Sequence, residues 1–273
     1  MVRKLVTVPA CVLAAAGILT ADFTYRESSR LSAREPLDAT VAVKRDRLLR
    51  KSSTQAQLID LQSETVTRID FQKKSYTVVP FSALQPRAAG PQPRFHVSSH
   101  ATGNIRLIEG FDAREMVVRI TQDASPIVVT ARVWVAALVP GYGEVREFQR
   151  RLLEKLPSYP VTTALHNYPE AASAITELNR EIVRLDGAPL VQTISITGEP
   201  RAAAPPAKSP KPSLGSALSG RFKTGSKVSP AAEAPPPGTL TVEAAGFSTA
   251  GIDGAMFEVP ARFKQVRQAK PKR

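Results

Sequence analysis

The sequence predicts a mainly β protein of the α+β class: a curved antiparallel sheet or half-barrel of about ten strands covered by two amphipathic helices. Three observations predict it. Short β-branched and alternating runs, punctuated by turn residues, follow one another from residue 23 to residue 135. Within Gln57–Phe81 one phrase is written twice, Ile59-Asp60-Leu61-Gln62 and Ile69-Asp70-Phe71-Gln72, ten residues apart, a period that suits successive hairpins. The apolar period then changes from two to about 3.6 after Pro140-Gly141-Tyr142-Gly143.

Taken in order, Phe23, Tyr25 and Leu31 share one parity and predict a first strand over Phe23–Ala33. Thr40–Val43 and Leu48–Ser52 form a hairpin about the turn at Lys44–Arg47. In the doubled phrase each Asp opens a turn, its carboxylate accepting a backbone N–H two residues on. With loops at Leu61–Glu64 and Phe71–Lys74, Ile59 faces Val66 and Ile69 faces Tyr76, on opposite sides of the sheet. Pro80 has no N–H for the ladder, Phe81–Leu84 forms a helical turn and Gln85–Pro93 a loop. Arg94–Ser99 resumes a strand, Ala101–Asn104 turns, and Ile105–Ile108 leads to a turn or bulge at Gly110. Met116–Ile120 and Ile127–Val135 make the next hairpin.

Val145, Phe148, Leu152 and Leu156 stripe one face of a helix over Glu144–Leu156, with Glu144 and Glu147 in its first turn and Lys155 in its last, as the macrodipole favours. A second helix runs from about Pro169 to Leu185, with a stripe of Ala171, Ile175, Leu178, Ile182 and Leu185 and Gly187 as its cap. Neither stripe encircles its helix, so both helices cover one face of the sheet. A closed barrel or a sandwich accommodates the strands equally well, but a face already closed leaves no place for two such covers. Leu190–Thr197, Thr239–Phe247 and Phe257–Val266 complete the strands.

The organisation is one half-barrel-like domain over 22–267, interrupted by a basic insertion at 198–237 rich in Pro, Ala, Ser and Lys. That composition buries too little apolar surface to offset chain entropy and predicts disorder. The net charge of +13 is concentrated at Arg3 and Lys4, in the insertion (Arg201, Lys208, Lys211, Arg221, Lys223, Lys227) and from Arg262 into the basic tail 268–273. The folded part is close to neutral. A nucleic-acid-binding module gathers its charge on one face, so no nucleic-acid partner is expected; the flexible basic segments instead suit anionic surfaces. Residues 1–21 read as a signal peptide: Arg3-Lys4, an apolar run from Leu5 to Leu19, then Thr20-Ala21. Cleavage there removes Cys11, the single cysteine, leaving an exported chain without a disulfide; the alternative is an uncleaved anchor, for which the run is short against the ~20 residues of a span.

No catalytic or metal-binding motif is present. His96 and His100 fall on one face of a strand but ~13 Å apart, too far to share an ion. Asp60 and Asp70 are explained as turn residues. Trp134 and its valine neighbours read as core or as the lining of a cavity. Around Phe263 the basic tail lacks the interleaved aromatics of a stacking platform.

Thr65–Phe81, the run from Trp134 through Pro140-Gly141-Tyr142-Gly143-Glu144-Val145-Arg146, and the closing Gly246-Phe247-Ser248, Phe257-Glu258-Val259-Pro260 and Phe263-Lys264-Gln265-Val266 resemble a group of secreted bacterial proteins of unknown function. Members of that group are similar to the lipoprotein-carrier (Lol) half-barrel. The resemblance spans most of 22–267 outside the insertion. It implies a curved antiparallel sheet whose concave face is covered by helices and can hold acyl chains. Ala137 departs from the group's pattern, which has proline after Trp-x-Ala, and no carrier motif maps a binding residue onto this chain.

The expected function is therefore that of a non-catalytic, cofactor-free protein exported to the periplasm or cell envelope. It would bind a lipid, acyl chain or other hydrophobic ligand between sheet and helices. The expected cavity lining is Tyr76, Val78, Trp134, Phe148 and Leu152. The alternative is an envelope scaffold whose own side chains fill that interior and whose basic loop and tail contact anionic surfaces or partners. An enzyme would need Asp112, Glu115 or His96 gathered in one cleft.

Overall fold

The computed structural model describes residues 22–32, 34–85, 94–123, 125–157, 159, 171–197 and 239–267. The expected signal peptide, insertion and tail lie outside the described residues. The first half of the chain is a meander of β1 (Phe23–Leu31), β2 (Leu37–Lys44), β3 (Arg47–Lys51), β4 (Gln55–Asp60), β5 (Thr65–Asp70) and β6 (Ser75–Pro80), closed by the helical turn α1 (Phe81–Leu84). The second half holds β7 (Phe95–Ile108), β8 (Phe111–Gln122), β9 (Val128–Ala136), α2 (Tyr142–Lys155), α3 (Ala172–Arg184), β10 (Ala188–Thr197) and β11 (Leu240–Ser248). A 3-10 turn (Gly254–Phe257) and the two-residue β12 (Lys264–Gln265) follow.

All twelve strands form one sheet in the order β12-β6-β5-β4-β3-β2-β1-β11-β10-β9-β8-β7. Every pairing is antiparallel except that of β12 with β6. Each half is laid down in sequence order, and β11 joins them by pairing with β1. The sheet is strongly curved. Between β5 and β8 lie eight strand spacings, about 38 Å if the sheet were flat. Yet Val66 of β5 and Ala113 of β8 belong to one buried cluster with Val145, Phe148 and Leu152 of α2.

Helix α3 packs Ala174, Ile175, Leu178 and Ile182 against Val118, Ile120, Val129, Ala131, Val133 and Val135. The clusters under the two helices share one side of β1 but alternate on β8 and β9, where Ala113 and Ala136 of the α2 cluster pair with each other and face away from Val118 and Ala131 under α3. On β1, Phe23 belongs to the α2 cluster and Leu31 packs against the α3 cluster; eight residues apart, they share one side of a strand. The opposite, convex face is also covered. There the segment after β11 crosses the meander, setting Ile252, Phe257, Val259 and Phe263 on Ala42, Leu49, Ala56, Ile69, Phe71 and Tyr76.

This strap corrects one expectation. Phe257–Val266 is not a full strand: Pro260 cannot donate to a ladder, the aromatic side chains anchor the segment across the convex face, and only Lys264 and Gln265 join the edge, parallel to β6. A second correction concerns Ala101–Asn104, which does not separate two strands. It is a bulge inside β7, where Ala101 pairs with Met116 and Ile105 with Arg114. Thr102 and Asn104 donate to the buried Glu115 carboxylate, each at 2.8 Å, and so satisfy the acceptor that would otherwise be stranded there.

Gly187 lies past the end of α3 and leads into β10. Its φ is +130°, and a Cβ there would sit 2.4 Å from the Ala136 carbonyl oxygen. The strands must therefore part or the backbone must strain. Gly187→Ala is expected to lower stability by about 2 kcal/mol, seen as a reduced denaturation midpoint in urea.

Candidate functional site

Because cross-strand partners share a face, the register of the meander defines the concave floor. Leu48, Ile59, Val66 and Val79 form one continuous row across β3 to β6. Ile59, Val66 and Leu48 pack in the α2 cluster. Two residues further along each strand, on the same face, comes a second row: Arg50, Gln57, Arg68 and Thr77. The floor thus changes within ~7 Å from apolar to polar.

The polar row is the candidate site. Arg50 pairs with the buried Glu27 of β1, reaching across β2 where Ala39 and Val41 face the same side. Burial works against the Arg50 charge, but the Glu27 carboxylate beside it outweighs burial and holds the guanidinium protonated beyond its ordinary range. Burial also pushes the Tyr25 hydroxyl well above its usual value, so it stays a neutral neighbour. Arg68 is exposed and has no carboxylate partner among the described residues.

Tyr159 completes the arrangement. The chain leaving α2 turns back, with Tyr159 N–H donating to the Leu156 carbonyl at 3.1 Å, and this sets its ring over the row. Tyr159 is 6% exposed, and its hydroxyl has no partner in hydrogen-bonding geometry among the described residues, although Gln57 lies alongside. Burial raises its pKa to about 12 against the pull of Arg68 and Arg50. It is therefore a protonated donor, facing two guanidiniums and one amide. The C-terminal dipole of α2 opposes an anion here, but that fractional charge is smaller than the excess of Arg50 and Arg68 over Glu27.

The expected cavity residues fall in different places. Phe148 is 0% exposed, and Leu152 is buried beside it in the α2 cluster. Trp134 alternates with Val133 and Val135, which pack under α3; it lies at the margin of the α2 cluster, with Arg106 stacked 4.4 Å from its ring centroid. Tyr76 pairs with Ile69 and packs in the convex cluster under the strap. Val78 shares that outward parity and is 40% exposed. The structure thus brings Phe148 and Leu152 together, with Trp134 at their edge, and sets Tyr76 and Val78 on the other face.

His96 and Asp112 do not converge. Thr121, the partner of His96, and Asp112 lie nine residues apart on β8, about 30 Å. His96 instead contacts Asp123 at 2.7 Å at an exposed hairpin end. Asp60 accepts the N–H groups of Gln62 and Ser63 and pairs with Arg47; these contacts hold its carboxyl below the ordinary range although burial alone would raise it. Among the described residues no group of three or more His, Cys, Asp or Glu is placed to hold a metal ion. A separate open cleft of about 540 Å³, between the end of β1 and the start of β11, is lined by Arg30, Arg34, Glu35 and Glu243 and so carries both signs of charge.

No protein-family model matches the chain, and no curated protein matches it. The site is therefore read from its own geometry. Sequence reasoning missed Arg50, Gln57, Arg68 and Tyr159. The signal for two of them was present: once Ile59 is set opposite Val66, the next same-face pair is Gln57 and Arg68.

Proposed function

We propose that the protein is a non-catalytic envelope protein, exported through the segment 1–21 and of the lipoprotein-carrier type, that binds a lipid or other acyl-chain ligand on its concave face. The observation that carries this reading is the pair of adjacent rows, apolar Leu48-Ile59-Val66-Val79 beside polar Arg50-Gln57-Arg68-Thr77. An amphiphile needs that sequence of surfaces within one molecular length.

The chain of such a ligand reaches the apolar row by displacing α2. The helix is held at its outer edge by Arg151 to Asp46 and Lys155 to Glu64, surface ion pairs worth about 0–1 kcal/mol each. Its apolar stripe of Val145, Phe148, Leu152 and Leu156 holds it more strongly. At ~2 kcal/mol per buried side chain the stripe contributes about 8 kcal/mol, which at ~0.8 kcal/mol per methylene an acyl chain of about ten carbons replaces. Binding is thus expected to rise steeply with chain length, with dodecyl probes taken up and hexyl probes not. Native mass spectrometry of protein purified from its own envelope, followed by titration with alcohols of graded length, measures this. Ligand-free protein that ignores every chain length would sink the proposal.

A second reading is favoured by the complete burial of Phe148: a scaffold whose side chains fill the interior, with basic residues 198–237 contacting anionic surfaces. Deleting residues 200–237 separates the two. The scaffold loses surface association, whereas the ligand binder keeps its affinity for acyl probes.

A further inference from the structure

We propose that Arg68, Gln57 and Tyr159, with Arg50 behind them, form a receptor for a single anionic head group, a carboxylate or a phosphate, at the end of the bound chain. This rests on the acyl-ligand function proposed for the concave face and specifies the ligand's class. Three independent features of the row converge on it.

The first is an unused donor. A buried hydroxyl without a partner is rare in a folded protein because its lost hydration is not returned. Among the described residues Tyr159 has no partner in hydrogen-bonding geometry, and it stays protonated. The second is charge. Arg50 and Arg68 stand two strand spacings apart, about 10 Å, with Gln57 between them on the same face. Both guanidiniums are near enough to act on the Tyr159 hydroxyl, and the planar fork of Arg matches carboxylate and phosphate oxygens. Among the described residues Glu27 neutralises one of the two, which leaves one net positive charge for one anion. The third is position. The row adjoins the apolar row on the same strands, so an anion bound here points its chain beneath α2.

A neutral head group would leave Arg68 unmatched and gain only the Tyr159 hydroxyl. The site therefore discriminates by charge, and the chemistry that recognises its ligand is that of a fatty acyl carboxylate or a phosphate monoester or diester.

The test uses the full chain and three probes of equal length: dodecanoate, dodecyl phosphate and dodecanol. Both anions are expected to bind at least about tenfold more tightly than the alcohol, a charge-assisted hydrogen bond being worth about that much. Tyr159→Phe keeps the ring and removes only the unpaired hydroxyl. It is expected to weaken anion binding about tenfold while leaving the denaturation midpoint unchanged or raised, an outcome that a purely structural tyrosine would not give. Arg68→Ala, at an exposed position, is expected to do the same to both anions and nothing to the alcohol. Tighter binding of dodecyl phosphate assigns the head group to phosphorylated lipids, and tighter binding of dodecanoate to free acyl carboxylates; either supports the inference. Equal affinity for all three probes, or variants that bind anions as the wild type does, overturns it while the acyl-ligand reading stands. If no probe binds at all, both fall together.

Discussion

Replacing Phe148 by alanine is expected to lower the unfolding free energy by about 3–5 kcal/mol. The ring is fully buried on the central turn of α2. Its cluster takes residues from distant parts of the strand order, among them Ile59 and Val66 on one flank and Ala113 and Ala136 on the other. Those neighbours are fixed in hydrogen-bonded ladders and cannot collapse into the space left behind, which places the cost toward the upper end of the range for such truncations. Urea unfolding should show the midpoint falling with the slope unchanged. Arg150→Ala, two residues on and round the helix from Phe148, removes only exposed pairs with Glu147 and Glu154 and should cost no more than about 1 kcal/mol. A Phe148→Ala loss as small as that of Arg150→Ala would mean that the ring is not what the sheet curves around. The acyl-ligand reading adds a further expectation: the truncated protein binds dodecanol at least as tightly as the wild type, because the ring no longer competes for the space.

Much of this architecture was legible because β-sheet information is local where hairpins are short. The doubled phrase fixed its own register, and the structure pairs Ile59 with Val66 and Ile69 with Tyr76, on opposite faces. The stripe Val145-Phe148-Leu152-Leu156 identified the buried face of α2 for the same reason: its period belongs to one element. What failed depended on contacts between remote segments. The strap over the convex face could not be told from a strand because Phe257 and Phe263 have the composition of one; only the apolar convex surface of β2 to β6 shows why they cross it. The three-residue bulge in β7 read as a turn because Thr102, Gly103 and Asn104 are turn residues in isolation, and Glu115, eleven residues beyond Asn104, is what holds them in the strand. The candidate site suffered most. Arg50 and Arg68 look like ordinary solvated positions until the register sets them in one row and the chain after α2 lays Tyr159 over it.

Glu27→Ala is expected to cost about 3–5 kcal/mol, the usual penalty for removing one partner of a buried ion pair and leaving the other charged. Glu27 and Arg50 have side chains only 8% and 23% exposed, and the small Ala39 on the intervening strand gives the carboxylate room to reach. Arg50 cannot escape by losing its proton. The pair itself is not a large net source of stability, since desolvation of two charges offsets most of their attraction. Replacing both, as in Glu27→Leu with Arg50→Met, should therefore recover most of what the single change loses, and a double-mutant cycle measures the difference as coupling. If the concave row is an anion receptor, the single change has an opposite second effect. With Glu27 gone, the row loses one negative charge, its net positive charge rises, and affinity for dodecyl phosphate rises while stability falls. A residue serving only the fold would lower both or leave binding unmoved. Adding dodecyl phosphate to Glu27→Ala should then restore part of the lost midpoint, because a ligand that binds only the native state raises its stability with concentration. Loss of stability with no gain in affinity would confine Glu27 and Arg50 to the architecture and leave Arg68 and Tyr159 to hold the anion alone.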